Sequence, residues 1–177
     1  YVIIEKNPGV GGTWYENTYP GCRVDVGNHF YCYSFEPNLD WQEFFSRQPE
    51  LQRYFANTAR KYGIEPQIRF ETEVQAADFD EASGEWRVRV RAKGGATETL
   101  RARVLISGVG QLNRPKLPDI EGIERFRGPA FHSAAWDHSV SLAGKRVAVI
   151  GTGASAFQLV PEVAREAAHV YTFQRTP

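Results

Sequence analysis

An α/β fold is predicted, with two β-α-β-type units built on parallel strands and a small antiparallel meander inserted in the first. Three observations predict it. Residues 1–5, YVIIE, form an unbroken apolar run closed by an acid, the pattern of a strand buried on both faces. Residues 67–107 switch to a period of two, with Trp86, Val88 and Val90 alternating with Arg87, Arg89 and Arg91. Residues 145–177 open on the apolar run RVAVI and pass through a G-x-G-x-x-A turn. They then continue as an amphipathic stretch and end on the strand-like HVYTF.

Composition bounds what such a chain can do. With 177 residues, 42% hydrophobic and 13% aromatic, it has material for one ordinary domain or two small ones, and it is not a disordered chain. A formal net charge of zero gives no electrostatic reason to expect nucleic acid or an acidic membrane surface. No apolar segment approaches the roughly 20 residues of a membrane span. Cys22 and Cys32 do not form a C-x-x-C pair and no signal peptide is present, so a cytoplasmic location is expected. No metal site is expected. The chain opens inside an apolar run, has no methionine and stops just after a strand-like run, so a piece of a longer polypeptide, truncated at both ends, is expected.

Taken in order, the first strand ends at Glu5. In a dinucleotide-binding β-α-β unit a carboxylate at the end of the second strand accepts hydrogen bonds from ribose hydroxyls, roughly twenty residues after the glycine turn. Glu5 fits that role. Residues 7–25, NPGVGGTWYENTYPGCRVD, then place Gly9, Gly11 and Gly12 close together, where backbone amides can approach a phosphate or a flat ring because no Cβ intervenes. Trp14 and Tyr19 offer flat faces, and Pro20-Gly21 makes a turn before Asp25.

From Asp40 the pattern turns helical, with Asp40 and Glu43 as a capping-box pair and Pro49 starting a second helix. Leu51, Tyr54, Phe55, Ala59 and Tyr62 keep the helical period until Gly63. The meander follows, with turns at Ser83-Gly84 and Gly94-Gly95. Its three arginines are the solvated face of a strand rather than a basic patch. Residues 103–111, RVLISGVGQ, read as a buried strand running into a glycine turn at Gly108 and Gly110.

The strand, turn, helix and strand of residues 145–177 stand where a Rossmann unit demands them. Gly151 permits the tight turn, Gly153 and Ser155 lie where a pyrophosphate meets the helix N-terminus, and Ala156 lets helix pack on sheet. The second strand ends in Gln174-Arg175-Thr176 where an NAD site would carry an acid. A guanidinium and a hydroxyl suit a 2′-phosphate, so NADP(H) is the expected dinucleotide.

Between these units lies FRGPAFHSAAWD, residues 126–137, a connector by composition. Its Phe126, Gly128, His132, Trp136 and Asp137 resemble the F-x-G-x-x-x-H-x-x-x-W-[PD] signature of Baeyer-Villiger monooxygenases, matching at every specified position. Residues 11–25 resemble a second signature of that family, [AG]-G-x-W-x-x-x-x-[FY]-P-[GM]-x-x-x-D, through Gly11, Gly12, Trp14, Tyr19, Pro20, Gly21 and Asp25. The wording of residues 21–35 looks closer to the hydroxyacetophenone-type members than to the cyclohexanone-type ones.

The resemblance implies two Rossmann-like dinucleotide-binding units, for FAD and NADP. The FAD-binding domain would span 1–118 and lack its first strand and G-x-G-x-x-G. A linker would run over 119–142, and an NADP-binding domain would begin at 143 and be cut at 177. It implies that Gly11, Gly12, Thr13 and Trp14 lie along FAD with Glu5 on the ribose. Asp25 and Tyr31 would then sit by the flavin and Val74 by the adenine. Phe126 would be an apolar anchor, while His132 and Trp136 would hold the linker as the domains move. The implied reaction inserts one atom of dioxygen beside the carbonyl of a hydrophobic ketone, with NADPH as reductant and a flavin peroxide as oxidant, to give an ester or lactone. The family's arginine for that step lies beyond Pro177, so this stretch alone would be inactive. Two other readings stand beside it: an N- or S-oxygenating flavin monooxygenase and an NADP(H)-sensing module. A disulfide reductase is set aside for want of a redox cysteine pair.

Overall fold

Strand pairing in the computed structural model, which describes residues 1–175, follows the sequence pattern closely in some places and departs from it in others. The chain divides into two compact units, one of Tyr1–Tyr15 with Arg53–Asn113, the other of Glu16–Gln52 with Arg114–Pro177.

In the first unit, β1 (Ile3–Ile4) pairs in parallel with β2 (Ile68–Arg69), Ile3 opposite Ile68. The expected parallel strand is present, but it is not buried. Tyr1 is 86% exposed and Ile3 37%, because β2 is its only sheet neighbour among the described residues. The one-turn helix α1 (Thr13–Glu16) follows the glycine loop.

The meander is β3 (Thr72–Asp80), β4 (Glu85–Ala92) and β5 (Thr97–Ala102), antiparallel throughout, with an irregularity in β3 between Val74 and Ala76. Val88 and Val90 are buried on one face of β4. On the other, Arg87 pairs with Asp80 and Arg91 with Glu73. These arginines are exposed and partnered, as alternation requires, and each such pair is worth at most about 1 kcal/mol.

The strand expected over 103–111 does not form. Residues 104–110 are irregular, and Val104, Ile106 and Val109 are exposed. An extended segment becomes a strand only when a neighbour takes its N–H and C=O groups, and none of the sheets includes it.

The helix α2 (Gln48–Lys61) buries Leu51, Tyr54, Thr58 and Ala59 along one stripe. Gly63, at φ +64°, ends it in the left-handed conformation common past helix C-termini.

In the second unit, β6 (Arg146–Ile150), α3 (Ala154–Glu166) and β7 (His169–Phe173) form a parallel β-α-β unit, Arg146 opposite His169 and Ile150 opposite Phe173. Leu159 and Val163 are the buried stripe of α3. The helix continues through Pro161, which is exposed and costs it one backbone hydrogen bond.

The helix expected from Asp40 is absent. Its backbone is committed elsewhere: Val24 N donates to Ser46 O and Asn28 N to Phe44 O, both at 3.0 Å. Glu43 does not cap a helix but pairs with Arg23 at 3.2 Å and Arg47 at 2.8 Å. A capping box needs its acid to turn back on the N-cap amide, and here two guanidinium groups hold it.

Candidate functional site

In the first unit, the glycine loop is shaped as its sequence requires. Gly11 lies at φ +130° and Gly12 at φ +50°, conformations costly for residues with a Cβ. Trp14 N and Tyr15 N then close on Gly11 O and Gly12 O at 2.9 and 3.0 Å. Thr13 is exposed while Trp14 is buried. Glu5 stands at the end of β1, where its Oε1 accepts from Asn7 N at 2.8 Å. Val74 is 42% exposed beside the irregularity in β3. A wide depression of about 650 Å³ opens next to Glu5 and Val74, lined by Lys6, Asn7, Glu71, Glu73, Arg91 and Lys93 among others. Charge crowds its walls, with ion pairs between Glu73 and Arg91 and between Glu71 and Lys93. It is open to solvent rather than an enclosed ligand pocket.

In the second unit the turn into α3 carries the remaining glycines. Gly151, at φ +110°, needs to be glycine for its backbone. Gly153 does not: it caps α3 at φ −72° without a side-chain cap, and a Cβ there would meet no protein atom within 4 Å. Neither strain nor packing asks for glycine at 153, whereas close approach of a bound anion to the open first turn does. The residues therefore fit a dinucleotide phosphate. Ser155 and Ala156 lie in that first turn, and Arg175 is exposed beyond β7. Thr176 lies outside the described residues.

The loop before Asp25 is held from several sides. Tyr19 is buried, its hydroxyl donating to Gln158 Oε1 of α3 at 2.9 Å and accepting from the Ser155 hydroxyl. Burial pushes the Tyr19 phenol up to about 12, so it remains a donor at working pH. The same burial raises the thiol of Cys22 against an opposing hydrogen bond with Tyr19. Gly21 has φ +80°, and a Cβ there would lie 2.6 Å from the Gln158 carbonyl oxygen. Both backbone and packing thus demand glycine at that point.

Asn28 anchors the next turn. Its Nδ2 donates to Ser46 Oγ at 2.6 Å and its Oδ1 accepts from Ser46 N at 3.0 Å. Asp25 is exposed between these anchors. Tyr31, half-buried, closes the short turn Asn28–Phe30 through its N–H to Asn28 O.

The connector keeps its own shape. His132 Nδ1 accepts from Ala134 N at 3.0 Å and caps the turn Ser133–Ala135. Phe131 meets Trp136 edge to face at 5.1 Å between ring centres. Asp137 accepts from Ser139 N and Oγ, which hold its carboxyl below the usual range. Phe126 is 64% exposed, its ring lying over Gly128. Beyond the signature, Thr18 Oγ1 lies 2.8 Å from His138 Nε2.

The structure therefore joins Tyr19 to Ser155 through hydroxyls, a link no spacing rule gives. Gln158 and Asn28 were not singled out from the sequence. The one signal for Gln158 is its position three residues after Ser155, on the same helical face.

A parallel β-α-β unit with a glycine turn, an inserted meander and two shaped signature loops define a flavoprotein-type dinucleotide fold. The family model for flavin-binding monooxygenase-like proteins matches residues 15–176, and the chain belongs to that family. It is 44% identical over 177 residues to a Baeyer-Villiger monooxygenase of Streptomyces coelicolor and, equally, to one of Pseudomonas aeruginosa. All of this chain aligns in each case, with 33% of the relative, so it spans about a third of the length of the curated relatives it matches. Among solved structures, OTEMO in complex with FAD and NADP superposes with a TM-score of 0.90 at 40% identity, over 99% of this chain and 34% of that one. Closed cyclohexanone monooxygenase gives 0.87 at 35% identity, over 99% and 33%.

Proposed function

We propose that this protein is an FAD- and NADPH-dependent Baeyer-Villiger monooxygenase that converts a hydrophobic ketone and dioxygen to an ester or lactone. The observation that carries the reading is the 126–137 run. It retains every signature position as a loop shaped by its own His132 and Trp136 contacts, in a chain that resembles proteins of that name along its whole length.

In this reading FAD, when bound, supplies the electron-transfer and oxygen chemistry, and the protein binds, orients and shields. Glu5, Gly11, Gly12, Thr13, Trp14, Asp25, Tyr31 and Val74 hold the FAD. Gly151, Gly153, Ser155 and Ala156 receive the NADPH phosphates at the start of α3, with Arg175 and Thr176 toward the 2′-phosphate. His132 and Trp136 fix the connector. The domain limits belong to the same proposal: 1–118 for FAD, 119–142 for the linker and 143 onward for NADP. So does a cytoplasmic location. No helix among the described residues is long and apolar enough to cross a membrane.

The test is NADPH consumption in air by the full-length, FAD-loaded protein, with product mass, against phenyl and cyclic ketones. A product one oxygen heavier than the ketone is expected. Oxygen gained only by amines or sulfides would identify an N- or S-oxygenating enzyme instead. NADPH binding without oxidation would point to a sensing module.

A further inference from the structure

The side chain of Gln158 uses its amide as a neighbouring strand uses a peptide. Its Oε1 accepts from Arg23 N at 3.1 Å while its Nε2 donates to Arg23 O at 3.0 Å, and the same Oε1 accepts from Tyr19 Oη. A glutamine on a helix surface needs none of this, since water would satisfy it. Here the partners lie more than 130 positions away in the chain, and Gly21 is stripped of a side chain where the loop meets the Gln158 backbone. Tyr19 completes the joint by bonding Ser155, one turn before Gln158 and on the same face of α3. The loop so fixed leads directly to Asp25, two residues past Arg23.

We propose that Gln158 is a positioning residue for the reduction half of the reaction. By pinning the 19–23 loop to the first turns of α3, it gives the Gly151, Gly153 and Ser155 phosphate site and the Asp25 loop one fixed mutual geometry. This rests on the proposed NADPH site at α3. A misplacement of about 1 Å between reacting partners can cost on the order of a hundredfold in rate, so the joint acts on hydride transfer rather than on ketone binding.

The experiment is anaerobic stopped-flow reduction of the FAD-loaded full-length protein by NADPH, comparing wild type with Gln158→Leu, Gln158→Glu and Tyr19→Phe. FAD content and the KM for ketone are measured alongside. Gln158→Leu is expected to slow flavin reduction at saturating NADPH by about tenfold or more, the equivalent of losing one or two part-buried hydrogen bonds. FAD content and the ketone KM should stay within about twofold. Gln158→Glu keeps both accepting bonds but sets a carboxylate oxygen against the Arg23 carbonyl at the place of the lost donor, so it should slow reduction at least as much as Gln158→Leu. Tyr19→Phe creates no cavity and should slow reduction by a smaller factor in the same direction, which keeps the idea testable if the leucine variant folds poorly. Wild-type reduction rates in both Gln158→Leu and Tyr19→Phe would overturn the proposal, as would losses confined to FAD content. A wild-type flavin that NADPH does not reduce would instead overturn the function on which the proposal rests.

Discussion

Residues 16–25, which end at Asp25, and the connector that ends at Asp137 lie in the same compact unit, yet they are held by different means. Around the first loop, Tyr19, Cys22, Val24, Asn28 and Ser46 are all buried. Gly21 there is required by both its φ and its neighbour. The connector leaves Phe126 exposed, and the nearest atoms a Cβ at Gly128 would crowd belong to that movable ring. The first pattern is therefore largely explained by folding. The second is held by short local contacts, the His132 cap, the Phe131–Trp136 pair and the Asp137 bonds to Ser139.

The largest stability effect should come from Gly21→Ala. A φ of +80° and a backbone oxygen 2.6 Å from the new Cβ together cost about 3 kcal/mol, read as a loss of urea resistance in the full-length protein. Gly128→Ala should stay within about 0.5 kcal/mol, because its clash is with an exposed side chain that can rotate away. Equal losses in the two variants would erase the contrast between the loops.

Asn28→Ala comes next. It leaves Ser46 N without its buried acceptor and removes a donor from Ser46 Oγ, at a cost of about 2 to 3 kcal/mol. Asn28→Asp tests the same point more finely. It keeps the acceptor for Ser46 N but sets a buried carboxylate oxygen against the Glu43 carbonyl that the amide now serves, so it should destabilise at least as much as alanine.

The Tyr19 phenol gives a smaller, pH-dependent effect. Its folded value, pushed up to about 12, lies above the ordinary tyrosine value of about 10. The folded state therefore holds the proton more tightly, and its advantage is complete below pH 10. It declines as pH rises from 10 toward 12, because the unfolded chain ionises first. Wild type should lose about 2 kcal/mol more than Tyr19→Phe across that window in paired denaturation curves. Parallel curves would mean that the phenol is not buried as described.

How much of this was legible in the sequence follows the same division. The β6-α3-β7 unit and the alternation of Val88 and Val90 with Arg87 and Arg91 are local patterns, and the structure reproduces them. The helix from Asp40 failed because Glu43 was claimed by Arg23 and Arg47, partners that no local window contains. The strand over 103–111 failed because strandness depends on a neighbour, and apolar composition alone does not supply one. At the site, glycine and acid positions could be read one by one. The Gln158 joint could not, since a surface-like glutamine on a helix carries no sign of the loop that it will hold.

His132→Ala should have a small effect on stability and sharpens the comparison most. It removes one cap, the Nδ1 acceptor of Ala134 N at 3.0 Å, from a half-buried turn, worth about 1 kcal/mol or less. If the connector is retained for function, ketone-dependent NADPH oxidation by the full-length protein should nevertheless fall by about tenfold or more, since turnover depends on the geometry this turn sets. His132→Asn can offer the same backbone amide an acceptor and should restore the fold of the turn and, with it, part of the rate. If activity instead follows stability through both substitutions, the connector is a packing element like the first loop, and the 126–137 signature loses its weight as evidence for the reaction.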